Sequence, residues 1–439
     1  MEKVKAGYSR EVLVVPQTLA EKIISRAAGR QNVSAGEVVT CRVDMAMMHD
    51  SGGPRRVAPI LDRLEVEVWD PNRIVLVSDH YAPAVDSESS AILDLTRKWA
   101  QANQIQKFHD MEGICHVVIQ ENAYLRPGMF VVGGDSHSPT GGAAGCFMFG
   151  IGATDMAGVL VTGETWIRVP HTISIEWSGT LGPGVSAKDM MLATCAKLGM
   201  GGGQYQVVEF SGEVIERMSY GERMTVCNLA AELGAQTGII AADDTTWDYL
   251  ARDDQDLRRE DIWFSDVGAE FLEVHKFDAN NLGPQIAAPH SPANTTDISV
   301  YVGQKIDQAY IGACTGAKLD DLNMAASVLK GQKVASSVRL MVAPASGETT
   351  AAAIANGSMA ILLQAGAKLL PSGCGACAGY GAGVLAAGEI CIASTARNFQ
   401  GRMGASSSDV YLASPYSVAA AAITGYVCDP REILKEPAQ

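Results

Sequence analysis

The sequence is poor in aromatic residues, at 6%, and poor in charge, at 19% Asp, Glu, Lys and Arg where soluble proteins average about 25%. So few charges leave much of the chain free to be buried, which excludes disorder or coiled coil as a description of the whole. No repeat of roughly 20–50 residues and no low-complexity tract is present, so solenoids and arrays are excluded too. The N-terminus, MEKVKAGYSREVLVV, has no continuous apolar segment of the kind a secretory signal requires. The longest uncharged stretches, 351–367 and 369–388, carry Asn, Ser, Gln, Pro and many Gly. They predict buried α/β core, not membrane spans. A Lys/Arg-rich run is missing as well. With 34 basic against 49 acidic residues the net charge is −15, a field that repels phosphate backbones and disfavours a nucleic-acid partner. An anionic substrate therefore needs a local basic pocket.

What is present is apolar mass and glycine. Hydrophobic residues make up 47% of 439, enough for about three domains. Gly, at 45, is above its usual share of about 7%, which suits tight βα turns in a large α/β enzyme. The ten cysteines are too dilute for a disulfide scaffold, and reducing cytoplasm is the expected compartment. Residues 16–32 read as an amphipathic helix closed by Gly29. RIVLVSD (73–79) and MFVVGGD (129–135) read as strands ending in Asp at a turn, where open α/β sheets place ligands. HTISIEWSG reads as a strand, and SAKDMMLATCAKLG as a helix capped by Ser186. After acidic clusters between 240 and 300, β-like runs (AYIGAC, RLMVAP, ICIAST) alternate with Ala-rich helical stretches, which predicts a parallel sheet with crossover helices. Three α/β units are expected, at 1–170, 171–297 and 298–439.

Cys374 and Cys377 form a C-x-x-C in the glycine-rich turn GCGAC, and Cys314, 60 residues earlier, sits at a strand-to-helix turn. Thiolates from two such turns can hold three irons of a cubane cluster and leave the fourth open. A closed zinc site wants four ligands, and a histidine could supply the last, so spacing alone leaves the metal open. Cys41, Cys115, Cys146, Cys195, Cys227, Cys391 and Cys428 read as buried small hydrophobes. Five histidines crowd the first third, and three of them stand beside acids: His49–Asp50, Asp79–His80 and Asp135–Ser136–His137. A carboxylate beside an imidazole fixes its tautomer and raises its pKa, so the ring can carry a proton at neutral pH.

The segments GDSHSPTGGAAGCFMFGIGATD, TVCNLAAELGA, IGACTGAKLDDL, GCGACAG and STARNFQGRMG resemble the signatures of the aconitase superfamily, in order from about residue 40 to the C-terminus. The likeness is to its 3-isopropylmalate dehydratase and homoaconitase large-subunit type. It implies a three-layer α/β/α fold, with three α/β domains around a central [4Fe–4S] cluster. It implies Cys314, Cys374 and Cys377 as cluster ligands, and Asp79–His80 as the pair that protonates the leaving hydroxyl. Asp135 and His137 match the DSH motif, with His116 and Glu232 as its partners. Asn228 matches an asparagine beside the cluster. His49 and Ser136 stand near the substrate, and Arg397 and Arg402 would clamp its carboxylates. Asn228 and Glu232, four apart, are expected on one helical face. His109, His171, His275 and His290 match no motif.

The resemblance further implies a hydro-lyase acting on a hydroxy-dicarboxylic acid. Isomerisation between 3- and 2-isopropylmalate leads, with homoaconitase, 2,3-dimethylmalate and citraconate-type dehydratases as alternatives. A cluster-free or mononuclear-metal binding protein on the same scaffold is a further one. The family's base lies in a fourth, swivelling domain for which no stretch follows the third unit, so a separate small subunit is the expected partner. Two departures stand out. Ala396 replaces an asparagine, and Gly316–Ala317 replace the usual Asn-Ser or Asn-Gly after the first cysteine. Both remove hydrogen-bond donors and are expected to retune the cluster or admit a different substrate.

Overall fold

A computed structural model describes residues 15–251 and 263–434. The N-terminal segment 1–14, read above for a signal, and residues 252–262 of the acidic stretch lie outside the described residues. Two strands set the first layer. Met45–His49 and Ile74–Ser78 are buried at every position, as expected of strands covered on both faces. They sit in a five-stranded parallel sheet ordered Lys107–Asp110, Ile74–Ser78, Met45–His49, Phe130–Gly133, Phe147–Gly150. The chain enters at the middle strand and winds outward both ways. The direction reverses between Met45–His49 and Phe130–Gly133. Outside the carboxyl ends of two such strands the crossovers diverge and leave a crevice.

The C-terminal sheet repeats the plan. Its parallel part runs Lys368–Leu369, Arg339–Val342, Gln308–Ile311, Ile390–Ala393, Asp409–Ala413, with the reversal between Gln308–Ile311 and Ile390–Ala393. Between them lies a four-stranded parallel sheet of Thr237–Ile240, Val207–Ser211, Thr172–Ser178 and Glu273–Asp278. The antiparallel ribbon Val38–Arg42 with Glu164–Arg168 closes the first unit. The helix Leu19–Ala27 opens on a capping box between Thr18 and Glu21, and Gly29 follows it in the left-handed region (φ 65°). Ser186 caps Ala187–Leu198 with Asp189 as its box partner.

Two expectations need correction. Strands Gln285–Ala287 and Thr295–Asp297, placed above in the unit 171–297, are the antiparallel edge of the C-terminal sheet, with Ile286 opposite Ala413. The sequence break near 298 is a turn inside that unit. The stretch 369–388 is not buried core. It is an irregular, largely half-buried loop with a single 3-10 turn at Gly375–Ala378, because its glycines turn the chain too often for an element to propagate. Among the described residues no helix is long and apolar enough to cross a membrane.

Candidate active site

The two reversals bring the chemistry together. His49 ends one central strand, and the turn after Ile74–Ser78 carries Asp79 and His80. His80 Nδ1 lies 2.7 Å from Asp79 Oδ1, while Asp79 Oδ2 accepts the backbone N–H of Cys115 at 2.8 Å. Burial works against charge on the ring, yet Asp79 outweighs it and holds His80 up at about 9. His49 stacks on His80 with centroids 4.1 Å apart. Its Nδ1 accepts from Gly52 N–H at 3.3 Å and its Nε2 faces Gly134 O at 3.1 Å, which fixes a neutral tautomer. Burial first, then the neighbouring His80, pulls it down to about 4. Of two stacked imidazoles, one is therefore set to carry a proton and one to stay neutral.

Asp135, Ser136 and His137 follow the strand Phe130–Gly133. Asp135 Oδ1 accepts from His137 N–H at 2.8 Å and lies 2.8 Å from His116 Nε2. His137 Nε2 is 3.2 Å from Glu232 Oε1, which also accepts from Arg397 Nε at 2.7 Å. Arg397 Nη1 donates to Ser136 Oγ at 3.0 Å. His116, Asp135, His137, Glu232, Arg397 and Ser136 thus form one chain of polar contacts drawn from all three sheets' surroundings. Burial opposes charge on His137 and Glu232, but their contacts prevail, raising the imidazole and lowering the carboxyl. Asn228 and Glu232 do not share one α-helical face. The helix Tyr220–Leu229 ends between them and a 3-10 turn, Ala230–Leu233, continues. The tighter winding sends Asn228 to the cysteines and Glu232 to His137 and Arg397. Both are buried.

Asn228 Nδ2 donates to Cys314 Sγ at 3.1 Å and to Thr140 Oγ1 at 2.7 Å. Cys374 N–H donates to Asp79 O at 3.0 Å, with Gly373 packed so closely there that a Cβ would stand 2.9 Å from the same oxygen. The three thiols lie within electrostatic reach of one another. Burial, and then the other site anions, push Cys374 well above its ordinary value and Cys314 to about 12. Cys377 is raised by burial too, against the pull of Arg402 and the Ala396 N–H. Thiols so buried ionise only around a cation, so they suit a metal group and not free thiolate chemistry. Two clusters, His49/Asp50/Asp79/His80 and His116/Asp135/His137, bring their ligand atoms within 4.8 Å of one another. Asn228 Oδ1 and Arg402 Nε are buried with no partner.

The departures have physical explanations. A Cβ at Gly316 would stand 2.2 Å from Ser394 Oγ, so this chain fills the space of a side chain at 316 with Ser394, which bonds to the backbone of Gly312 and Gly316. Ala396 keeps its backbone N–H on Cys377. Asn398 donates to Ala288 O and Val410 O and ties the arginine loop down. His109, His275 and His290 pair with Glu112, Glu273 and Asp409, away from the site. Two residues, Asp50 and Lys188, take on roles that the sequence reading did not give them. Asp50 makes its hydrogen bonds to the next turn instead of to His49: its carboxylate accepts N–H groups of His80 and Tyr81, at 3.1 and 2.8 Å, and moulds that turn. Cys115 is buried in the core, as expected, and only its backbone N–H serves the site, on Asp79. Lys188 reaches under the arginine loop from the helix Ala187–Leu198. The proximity of Asp50 to His49 in sequence was the one available signal for the first; Lys188 had none beyond an isolated charge in an apolar helix.

The model of the aconitase family (aconitate hydratase) matches residues 21–425. The 3-isopropylmalate dehydratase large subunit 1 of Methanopyrus kandleri is 42% identical over 419 residues, covering 95% of this chain and 100% of its own. The methanogen homoaconitase large subunit of Methanocaldococcus jannaschii is 42% identical over 418 residues, 93% of this chain and 99% of its own. Among solved structures, Thermococcus kodakaraensis aconitase X in its holo-form superposes with a TM-score of 0.50 at 13% identity, over 92% of this chain and 91% of that one. The last likeness concerns fold alone.

Proposed function

The chain belongs to the aconitase family, and from that premise we propose that this hydro-lyase is the large subunit of a [4Fe–4S]-dependent isomerase of 3- and 2-isopropylmalate. Cys314, Cys374 and Cys377 would hold the cluster. When bound, it supplies an iron without a protein ligand that serves as Lewis acid for a hydroxyl and a carboxylate. The chain's own groups divide the remaining work. His80, held protonated by Asp79, donates from Nε2 to the departing hydroxyl. His49, neutral beside it, orients the substrate by hydrogen bonding. Arg397 and Ser136, with Arg402, bind carboxylate oxygens, and Glu232 and Asp135 hold Arg397 and the imidazoles of His137 and His116 in place. The observation that carries the reading is the meeting of the cysteine turns with an aspartate–histidine pair: Cys374 N–H rests on Asp79 O, Asp79 holds His80, and Asn228 from the unit between donates to Cys314 Sγ.

Relatives named homoaconitase large subunit, at 41–44% identity, favour homoaconitate as the second substrate reading. Those names and the dehydratase names speak of large subunits, which supports a small-subunit partner that completes the site. The test begins with the metal. Chain reconstituted without oxygen should turn brown and bind about four irons and four sulfides, and Cys374→Ser should abolish both colour and tight iron. Full cluster retention by that variant would refute the ligand set. Supplying 3-isopropylmalate and homoaconitate in turn, with the small subunit present, then decides the substrate.

A further inference from the structure

Lys188 is 1% exposed, and its ammonium donates to Thr395 O at 2.5 Å and Ser394 O at 3.4 Å. Among the described residues it has no carboxylate within ion-pair distance. The other deeply buried cations do: Arg223 pairs with Asp243, and Lys318 with Asp321. Its position compounds the difficulty. Lys188 is the second residue of a helix, where the backbone dipole disfavours a positive charge. An ammonium withdrawn from water requires a compensating anion nearby. Burial pulls the ammonium down to about 8, and the groups that act against it when ionised are Cys377, Glu232, Cys195 and Cys314, three of which belong to the active site. The two carbonyls it grips lead directly into Ala396, whose N–H points at Cys377, and into Arg397.

We propose that Lys188 is the fixed counter-charge of the cysteine set and the positioning residue of the arginine loop: its ammonium offsets the negative charge of the ligated thiolates and holds the 394–395 carbonyls that aim Arg397. The assignment rests on the cluster reading above. It predicts effects of opposite sign in the two forms of the protein. Without cluster, Lys188→Met removes an unpaired buried charge, so the chain should melt at or above the wild-type temperature. With cluster, loss of a positive charge beside an anionic centre makes reduction harder, so the midpoint potential should move negative. In the complex with small subunit KM should rise about tenfold, the order expected of losing one charged hydrogen bond. Lys188→Arg should keep the potential near wild type, and Lys188→Gln gives a second charge-free variant should methionine prevent folding. Wild-type potential and KM in a cluster-loaded charge-free variant would overturn the proposal, as would equal destabilisation of both forms. A wild-type chain that takes up neither iron nor sulfide would instead overturn the cluster reading, and this counter-charge with it.

Discussion

Asp79 serves three neighbours at once. One carboxylate oxygen raises His80, the other takes the Cys115 N–H, and its backbone carbonyl anchors Cys374. Asp79→Asn keeps the shape and removes the charge, so only Asp135 and Asp50 remain to oppose burial and His80 falls from its raised value. The acid form donates the proton, so activity is present below the histidine's pKa and lost above it. The alkaline limb of kcat/KM should therefore move from about 9 in the wild type to a distinctly lower pH in the variant. At neutral pH kcat should drop by about 10²–10⁴-fold. A pH–rate profile whose alkaline limb stays near 9 in the variant would remove His80 from the role of acid. The residue types and their order along the chain were legible in advance. The partner choices were not: Asp50 neighbours His49 in sequence yet serves the His80 turn, because the strand end points its carboxylate across to the adjacent strand's loop.

At the scale of elements, a small number of close approaches hold the site's walls. The 3-10 turn Ser138–Ala144 carries Thr140, and packs its Gly142 on the strand Thr237–Ile240. A Cβ at 142 would stand 1.8 Å from Gly238 O, a backbone atom with nowhere to go. Gly142→Ala should cost about 1–3 kcal/mol or more in stability, read by urea or thermal unfolding. It should also loosen the Thr140–Asn228 contact, and so iron retention. A neutral effect on both would mean the first and second units slide freely at this seam. The sequence shows a glycine pair here but nothing of the strand it faces. The same holds for the helix carrying Asn228. Ala230 and Ala231 favour continued α-helix by propensity, and packing against the neighbouring units overrides them into a 3-10 turn.

For the molecule as a whole, the first and third sheets use one winding plan, each reversing direction beside its central strand. The histidine–acid turns come from the first sheet's crevice, the cysteines and arginine loop from the third, and Asn228 and Glu232 from the unit between. No unit alone holds a complete set. The site edge stays accessible, with Arg397 18% and His80 19% exposed at the side chain. The expected outcome for the purified, cluster-loaded chain is negligible turnover by itself and full turnover on titration with the small subunit. High turnover without it would refute the two-subunit reading.

Composition and patterning determined a large acidic α/β protein, and the resemblance of its motifs to the aconitase superfamily pointed to the three cysteines, the acid–histidine pairs and the arginine loop. The motifs that carry that resemblance are local: turn glycines, strand runs and neighbouring residues leave their marks within a few positions of one another. Tertiary structure decided what lies at longer range. It assigned Gln285–Ala287 and Thr295–Asp297 to the C-terminal sheet, turned 369–388 into an open loop, exchanged a side chain at 316 for Ser394, and drove an unpaired lysine beneath the site. Each depends on which surfaces meet after the sheets pack, and burial, steric exclusion and charge compensation act only once they have met.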